Sequence, residues 1–189
     1  MTPLTLWTIG HSTRTLDEFL GLLAGSSIGL VADVRRFPGS KRQPHFNAEA
    51  LAGSLKQAGI GYRHCPDLGG RRARRAEGSP NTAWRVDAFN AYADHMATPE
   101  FASALDDLIA LARDAPAAIM CAEAVPWRCH RRLIADALIV RGCSVWNIIG
   151  SRKIDPHALT EFARVEGSTV TYPAEPLFDV GPDQRSSHP

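Results

Sequence analysis

Ala117-Ala-Ile-Met-Cys-Ala-Glu-Ala-Val-Pro-Trp-Arg-Cys-His-Arg131 is the stretch that decides how this chain folds. Four apolar residues, Ala117 to Met120, are too short for a helix and read as a buried strand. Pro126 then breaks the chain, and from Cys129 onward Leu133, Ile134, Ala137 and Leu138 recur at helical spacing. The stretch is therefore a strand, a loop and the start of a helix. Its turn is crowded with reactive side chains.

The same unit repeats on either side. Leu4 to Ile9 is β-prone and stops at Gly10, after which Leu16, Phe19, Leu20 and Leu23 form a helical stripe. Thr15 is the expected N-cap, with Glu18 three residues on as its capping-box partner. Ile28 to Val34 reads as a second strand, an apolar run suited to a sheet covered on both faces. Period-2 alternation puts Val31, Asp33 and Arg35 on one side of it and Ala32 and Val34 on the other. Phe37 to Phe46 holds two prolines and a glycine and reads as a loop, with Phe46 its anchor. Asn47 is expected to cap a helix carrying Leu51 and Leu55. Tyr62 to Cys65 is a short third strand.

Residues 66–85 form a long loop in which Arg71, Arg72, Arg74, Arg75 and Arg85 outnumber Asp67 and Glu77. Asp87 to Met96 and Phe101 to Arg113 are helical patterns parted at Thr98-Pro99. Cys143 to Ile149 is a fifth strand, His157 to Arg164 a last expected helix, and Thr169 to Tyr172 a short extra strand. Strands alternating with helices imply an α/β fold, a mostly parallel sheet of about five strands with helices on both faces. Residues 1–172 are read as its single domain and 173–189 as a proline-rich tail expected to fray.

Composition narrows the class. The chain has 189 residues, 44% hydrophobic and 22% charged, which is ordinary for a globular protein. Its 21 basic and 20 acidic residues nearly cancel, so the overall charge does not single out a nucleic acid or a membrane as partner. No apolar run approaches the ~18 residues of a membrane span. The four cysteines are too sparse for a disulfide scaffold, and no leader pattern follows Met1. The expectation is a cytoplasmic protein with reduced thiols and no membrane partner.

In a parallel sheet every strand ends on the same edge, and ligands bind in the crevice there. His11 and Ser12 follow the first expected strand, Asp33, Arg35 and Arg36 the second, His64 the third, and Cys121 and Glu123 the fourth. Their convergence marks that edge as the site. A helix beginning near Cys129 presents free N–H groups, and Arg128, His130, Arg131 and Arg132 add positive charge, so an anion is stabilised there. The same field favours a thiolate at Cys129 and Cys121. The six residues between Cys121 and Arg128 include no glycine and do not fit the cysteine-phosphatase loop.

Glu123 and Asp33 are candidates for acid and base, and His11 for a general base. Ser40, Lys41 and Arg42 suit phosphate contact. Trp127 suits either stacking or a lid over the turn. A metal reading would use Cys121, Cys129 and His130 with His11 or His64, but the Cys-x7-Cys spacing matches no common zinc pattern. The expectation is accordingly no metal and no cofactor. Cys65 and Cys143 are read as small buried hydrophobes.

With these residues in view, the chain resembles the domain-of-unknown-function 488 family. The similarity lies in Thr8-Ile-Gly-His-Ser12, Asp33-Val-Arg-Arg-Phe-Pro-Gly-Ser-Lys-Arg42, Leu68-Gly-Gly70, Phe89 to Met96, and Cys-Ala-Glu…Cys-His-Arg at 121 to 131. Relatives often carry arginine at the position of Lys41, which leaves the local charge intact. The resemblance implies an α/β domain with these motifs gathered at one site. It implies no reaction.

The functional expectation is an enzyme or former enzyme, if active a hydrolase or transferase, with a small anionic, phosphate-bearing ligand. Cys121, Glu123, Asp33 and His11 are its expected catalytic residues. Ser12, Arg35, Arg36, Ser40, Arg42, Cys129, His130 and Arg131 are expected to hold the anion. The alternative is a non-catalytic nucleic-acid binding module that uses the arginine-rich loop at 71–85. A third reading makes the reactive-looking residues a closed structural network.

Overall fold

The central strand is Ala117–Cys121 (β4), buried along its whole length. The computed structural model describes residues 2–72 and 76–174. Within it β4 pairs in parallel with Thr5–Gly10 (β1) on one side and Leu30–Asp33 (β2) on the other. Gly61–His64 (β3) pairs with β2, and Ser144–Gly150 (β5) with β1, both parallel. Lys153–Pro156 (β6) adds an antiparallel edge to β5, giving the order β3-β2-β4-β1-β5-β6.

The expected α/β architecture is thus observed, with six strands in the sheet instead of five. The additional strand has an exposed face and a proline, as an edge strand tolerates, so it carries no apolar signal. Arg164–Glu166 (β7) and Thr169–Thr171 (β8) make a separate two-stranded ribbon. Only β8 was legible as a strand.

Period-2 alternation along β4 divides the core. Ala118 and Met120 join Ile9, Val31 and Ile148 under Leu16–Gly25 (α1) and Ala48–Gln57 (α2), through Phe19, Leu23, Leu51 and Leu55. Ala117, Ile119 and Cys121 join Leu6, Ala32 and Val34 under Asp87–Met96 (α3), Pro99–Asp114 (α4) and Arg131–Val140 (α5). Each fully buried Leu, Ile or Phe side chain contributes about 1.5–3 kcal/mol, so the two layers fix which face each helix covers.

Local signals hold where they are strong. Thr15 caps α1, with Glu18 completing the capping box, and Thr98 caps α4. Asn47 occupies the cap position of α2, but its Oδ1 accepts from the Ser40 N–H at 2.5 Å and so braces the preceding loop instead.

The expected helix at His157 to Arg164 is absent. The buried Asp136 of α5 takes its place as organiser, accepting from His157 Nε2 at 2.8 Å, the Thr160 N–H at 3.1 Å and the Tyr172 hydroxyl at 2.8 Å. Phe162 packs edge-on against Trp84. These tertiary bonds hold the segment irregular despite helix-forming residues. The frayed-tail expectation falls mostly on 175–189, outside the described residues.

Among the described residues no helix is long and apolar enough to cross a membrane.

Candidate functional site

Loops after β1 and β2 lead to helices on one face of the sheet, and the loop after β4 leads to α5 on the other. The connections therefore part around β4, which is where an open α/β sheet forms a crevice. A cleft of about 410 Å³ lies there. Its lining combines His11 from the end of β1, Arg35 to Phe37 and Ser40 from the end of β2, and Cys121 to Glu123 from the end of β4. Arg128, Cys129 and His130 come from the turn that leads into α5, and Gly70, Arg71 and Phe89 from beyond β3.

One wall is sulfur and imidazole. Cys121, Cys129 and His130 are all buried yet border the cleft. His130 Nε2 donates to the Val34 carbonyl at 3.1 Å, leaving Nδ1 directed at Cys129 Sγ (3.7 Å) and Cys121 Sγ (3.9 Å). The Cys121 and Cys129 sulfurs lie within 4.8 Å of each other. Their interaction holds Cys129 well below the usual thiol range, with further help from His130 and Arg131, and drives Cys121 well above it, where burial adds to the rise. Of the pair, Cys129 is the sulfur these interactions favour as thiolate and Cys121 the one they favour as thiol. Arg131 Nε donates to Cys129 Sγ at 3.4 Å and its Nη2 to the Glu123 carbonyl at 2.5 Å.

Two glycines make this packing feasible. A Cβ on Gly10 would sit 1.8 Å from the Glu123 carbonyl oxygen, so the end of β1 passes directly beneath the β4–α5 loop. A Cβ on Gly70 would sit 2.3 Å from His130 Nδ1. Tyr92, fully buried, steadies this corner: its hydroxyl donates to the Leu68 carbonyl at 2.8 Å and its ring packs 5.1 Å from that of His130.

The other wall is basic. Arg35 is clamped by Asp33 through Nε to Oδ1 (2.8 Å) and Nη2 to Oδ2 (2.5 Å). Asp33 also accepts from the Arg35 N–H at 3.1 Å and the Tyr62 hydroxyl at 2.8 Å. His64 Nε2 donates to the Arg35 carbonyl at 2.8 Å. His11 stacks on Phe46 with ring centroids 4.4 Å apart, donates from Nδ1 to the Ser12 carbonyl at 3.0 Å, and accepts at Nε2 from Arg35 Nη1 at 3.3 Å. Burial, then the Arg35 charge, lower its pKa to about 4 against the Ser12 bond, so the ring is neutral near pH 7.

A sequence model of the family described as domain of unknown function DUF488 matches residues 15–138. The chain belongs to that family. The matched span takes in the ends of β2, β3 and β4, while the Thr8 to Ser12 segment precedes it. No curated protein and no solved structure matches this DUF488 chain.

Of the residues expected at the site, His11, Arg35, Arg36, Ser40, Cys121, Glu123, Cys129 and His130 line the cleft of this DUF488 protein. Ser12, Asp33, Arg42 and Arg131 do not. Asp33 and Arg131 are buried props, one under Arg35 and the other behind Cys129, and Arg42 lies exposed outside the lining. Tyr62 was not expected at the site, and Tyr92 and Gly70 were expected there only as parts of the Phe89 to Met96 and Leu68-Gly69-Gly70 motifs. The Leu68-Gly69-Gly70 motif was the available signal for Gly70, because paired glycines mark close backbone approach. Phe46 is the buried loop anchor expected, and Trp127 is 52% exposed.

Proposed function

We propose that this protein is an enzyme that binds a phosphate-bearing small molecule in the cleft around β4 and acts on it with the Cys121, Cys129 and His130 centre, aided by Glu123. The observation that carries this reading is the composition of a single cleft. Its lining holds Arg35, Arg36, Arg71 and Arg128 against one carboxylate, Glu123, beside two cysteines and an imidazole.

Arg36, Arg71 and Arg128 are exposed, and among the described residues none is ion-paired. They are free to meet an anion. Arg35 is held in one orientation by Asp33, so its contribution to binding requires little further ordering. A charge-assisted hydrogen bond to phosphate contributes about 1.5–3 kcal/mol. Glu123 is exposed at the lining and serves as the acid or base, while the neutral His11 positions Arg35.

A closed structural network does not account for Cys121 and His130 bordering a cleft with Glu123 exposed beside them. The nucleic-acid alternative has weaker support. Arg72 spends its guanidinium on the carbonyls of Gly69 and Asp67, and Arg74 and Arg75 lie outside the described residues.

The test is a thermal-shift and calorimetric screen of metal-free protein against inorganic phosphate, nucleotides and phosphorylated sugars, with Arg36→Ala and Arg71→Ala as variants. Both arginines are exposed, so the variants keep their fold. Stabilisation by a phosphorylated ligand that weakens roughly 10-fold or more in each variant supports the reading. No stabilisation by any phosphorylated ligand, with salt-dependent binding of oligonucleotides instead, would transfer support to the nucleic-acid module.

A further inference from the structure

We propose that Cys121, Cys129 and His130 together bind one borderline-soft divalent cation, zinc in the first place, with a fourth coordination position open to the cleft. The inference deepens the function proposed above and rests on it only for what the open position meets, a water that a phosphate oxygen of the ligand displaces.

The three side chains already stand at ligand separations. Cys121 Sγ, Cys129 Sγ and His130 Nδ1 all lie within 4.8 Å of one another, with Nδ1 3.7 and 3.9 Å from the two sulfurs. A tetrahedral zinc with bonds of about 2.3 Å to sulfur and about 2.0 Å to nitrogen requires a sulfur-to-nitrogen edge of about 3.5 Å. Bringing the site to that geometry takes shifts of a few tenths of an ångström on the imidazole side. Three protein ligands and one open position are the arrangement of a catalytic zinc.

The surroundings support the ligand set independently. His130 is buried, and among the described residues its Nδ1 has no oxygen or nitrogen partner, only the two sulfurs. Its Nε2 is anchored on the Val34 carbonyl, the outer bond that fixes tautomer and ring direction in metal-ligating histidines. Gly70 keeps clear the space beside Nδ1 that any side-chain Cβ would fill. Arg131 Nε meets the Cys129 sulfur from behind, as outer partners of ligating thiolates do.

The donors also select the ion. Two sulfurs and an imidazole suit zinc, and calcium or magnesium would demand oxygen ligands. Binding the ion displaces the Cys121 proton, and the two resulting thiolates balance the charge of a divalent cation. The positive field of Arg36, Arg71 and Arg128 then remains available to the ligand.

His11 and His64 are not further ligands, since His11 Nε2 accepts from Arg35 and His64 Nε2 donates to the Arg35 carbonyl. The cysteine spacing matched no common zinc pattern because the ligands come from a strand end and a helix start, with a proline-broken loop between them. In space that separation disappears.

The experiment is a cobalt titration of reduced, metal-stripped protein, read by the thiolate-to-cobalt charge-transfer band, with elemental analysis of protein purified without chelator. Wild type is expected to bind one equivalent and show the band. Cys121→Ser, Cys129→Ser and His130→Ala should each weaken binding by more than the roughly 100-fold that loss of an outer partner can cost. Cys65→Ser and Cys143→Ser should leave the band unchanged.

Circular dichroism checks folding. Should a ligand variant fail to fold, X-ray absorption of zinc-loaded wild type decides: two sulfurs and one nitrogen at bonding distance support the site, and a shell of oxygens overturns it. A folded, reduced wild type without a band, or a band that follows Cys65 or Cys143, also overturns it. Phosphate binding is measured on metal-free protein through the arginine variants, so a protein that binds phosphate but no cobalt loses this site and keeps the cleft.

Discussion

Acidification from neutral pH should destabilise this protein through His11. The ring is 4% exposed, sandwiched against Phe46, and its Nε2 accepts from Arg35, so an imidazolium here would face a guanidinium without solvent between them. Its pKa is lowered to about 4, first by burial. In the unfolded chain a histidine titrates near ~6.5.

Between those values the unfolded state binds a proton that the folded state refuses, so the stabilisation is fully present above the unfolded value and is lost as pH falls toward the folded one. At about 1.36 kcal/mol per pKa unit, the loss is about 2 kcal/mol by about pH 5 and about 3 kcal/mol by about pH 4. His11→Gln removes the titration while keeping an amide oxygen for Arg35 to reach. Urea unfolding of both proteins at about pH 7 and about pH 5 gives the answer as a difference of differences, in which the variant's own change in stability cancels. The wild type should lose about 2 kcal/mol more than the variant over that interval. Equal losses, or a His11 ring that titrates near the ordinary histidine value by NMR, would refute the reasoning.

Other perturbations separate the two walls. Asp33→Ala leaves the Arg35 guanidinium buried without its carboxylate and should cost about 3–5 kcal/mol in chemical denaturation, with much of it recovered when Arg35 is also replaced by methionine. A loss no larger in Asp33→Ala than in the double variant would count against a clamped Arg35. Gly70→Ala drives a Cβ to 2.3 Å from His130 Nδ1 and should lower stability by about 1–3 kcal/mol, or displace the ring and abolish the cobalt band. Unchanged melting and an unchanged band would show that the loop does not press on His130. Phe37, 67% exposed at the cleft, should be silent in stability when replaced by alanine. The same variant should weaken nucleotide binding by about 1–3 kcal/mol and leave inorganic phosphate unaffected, and equal affinities for both ligands would exclude stacking on Phe37.

The parts of the fold that could be read from sequence are those where burial writes a period into the chain. β4 and β1 lie in the middle of the sheet, and α1, α4 and α5 each bury an apolar stripe, so their residues carry the signal on their own. β6 is an edge strand with an exposed face, and its Lys153-Ile-Asp-Pro156 has no alternation to read. The segment from His157 was misread for a different reason. Its helix-forming residues are overridden by Asp136, a buried carboxylate that must gather donors and takes them from His157, Thr160 and Tyr172. No local window contains that demand, because it originates on α5.

The site shows the same division at shorter range. Topology alone sends the ends of β1, β2 and β4 to one edge, and so His11, Arg35, Cys121 and Glu123 were expected together and line one cleft. Which residues form the lining and which support it depends on side-chain paths that no spacing encodes. Asp33 ends β2 and Arg35 follows it in the loop, where the arginine folds back over the carboxylate, so Arg35 reaches the cleft and Asp33 becomes its clamp. Arg131 opens α5 at an anion-binding position, but its guanidinium turns inward to Cys129 Sγ and the Glu123 carbonyl, beneath the turn that Gly10 leaves room for. An arginine placed there steadies the sulfur and the loop carrying Glu123 at once, so Arg131→Lys, which keeps the charge but loses the forked contact, should disturb the sulfur centre more than it disturbs the basic rim.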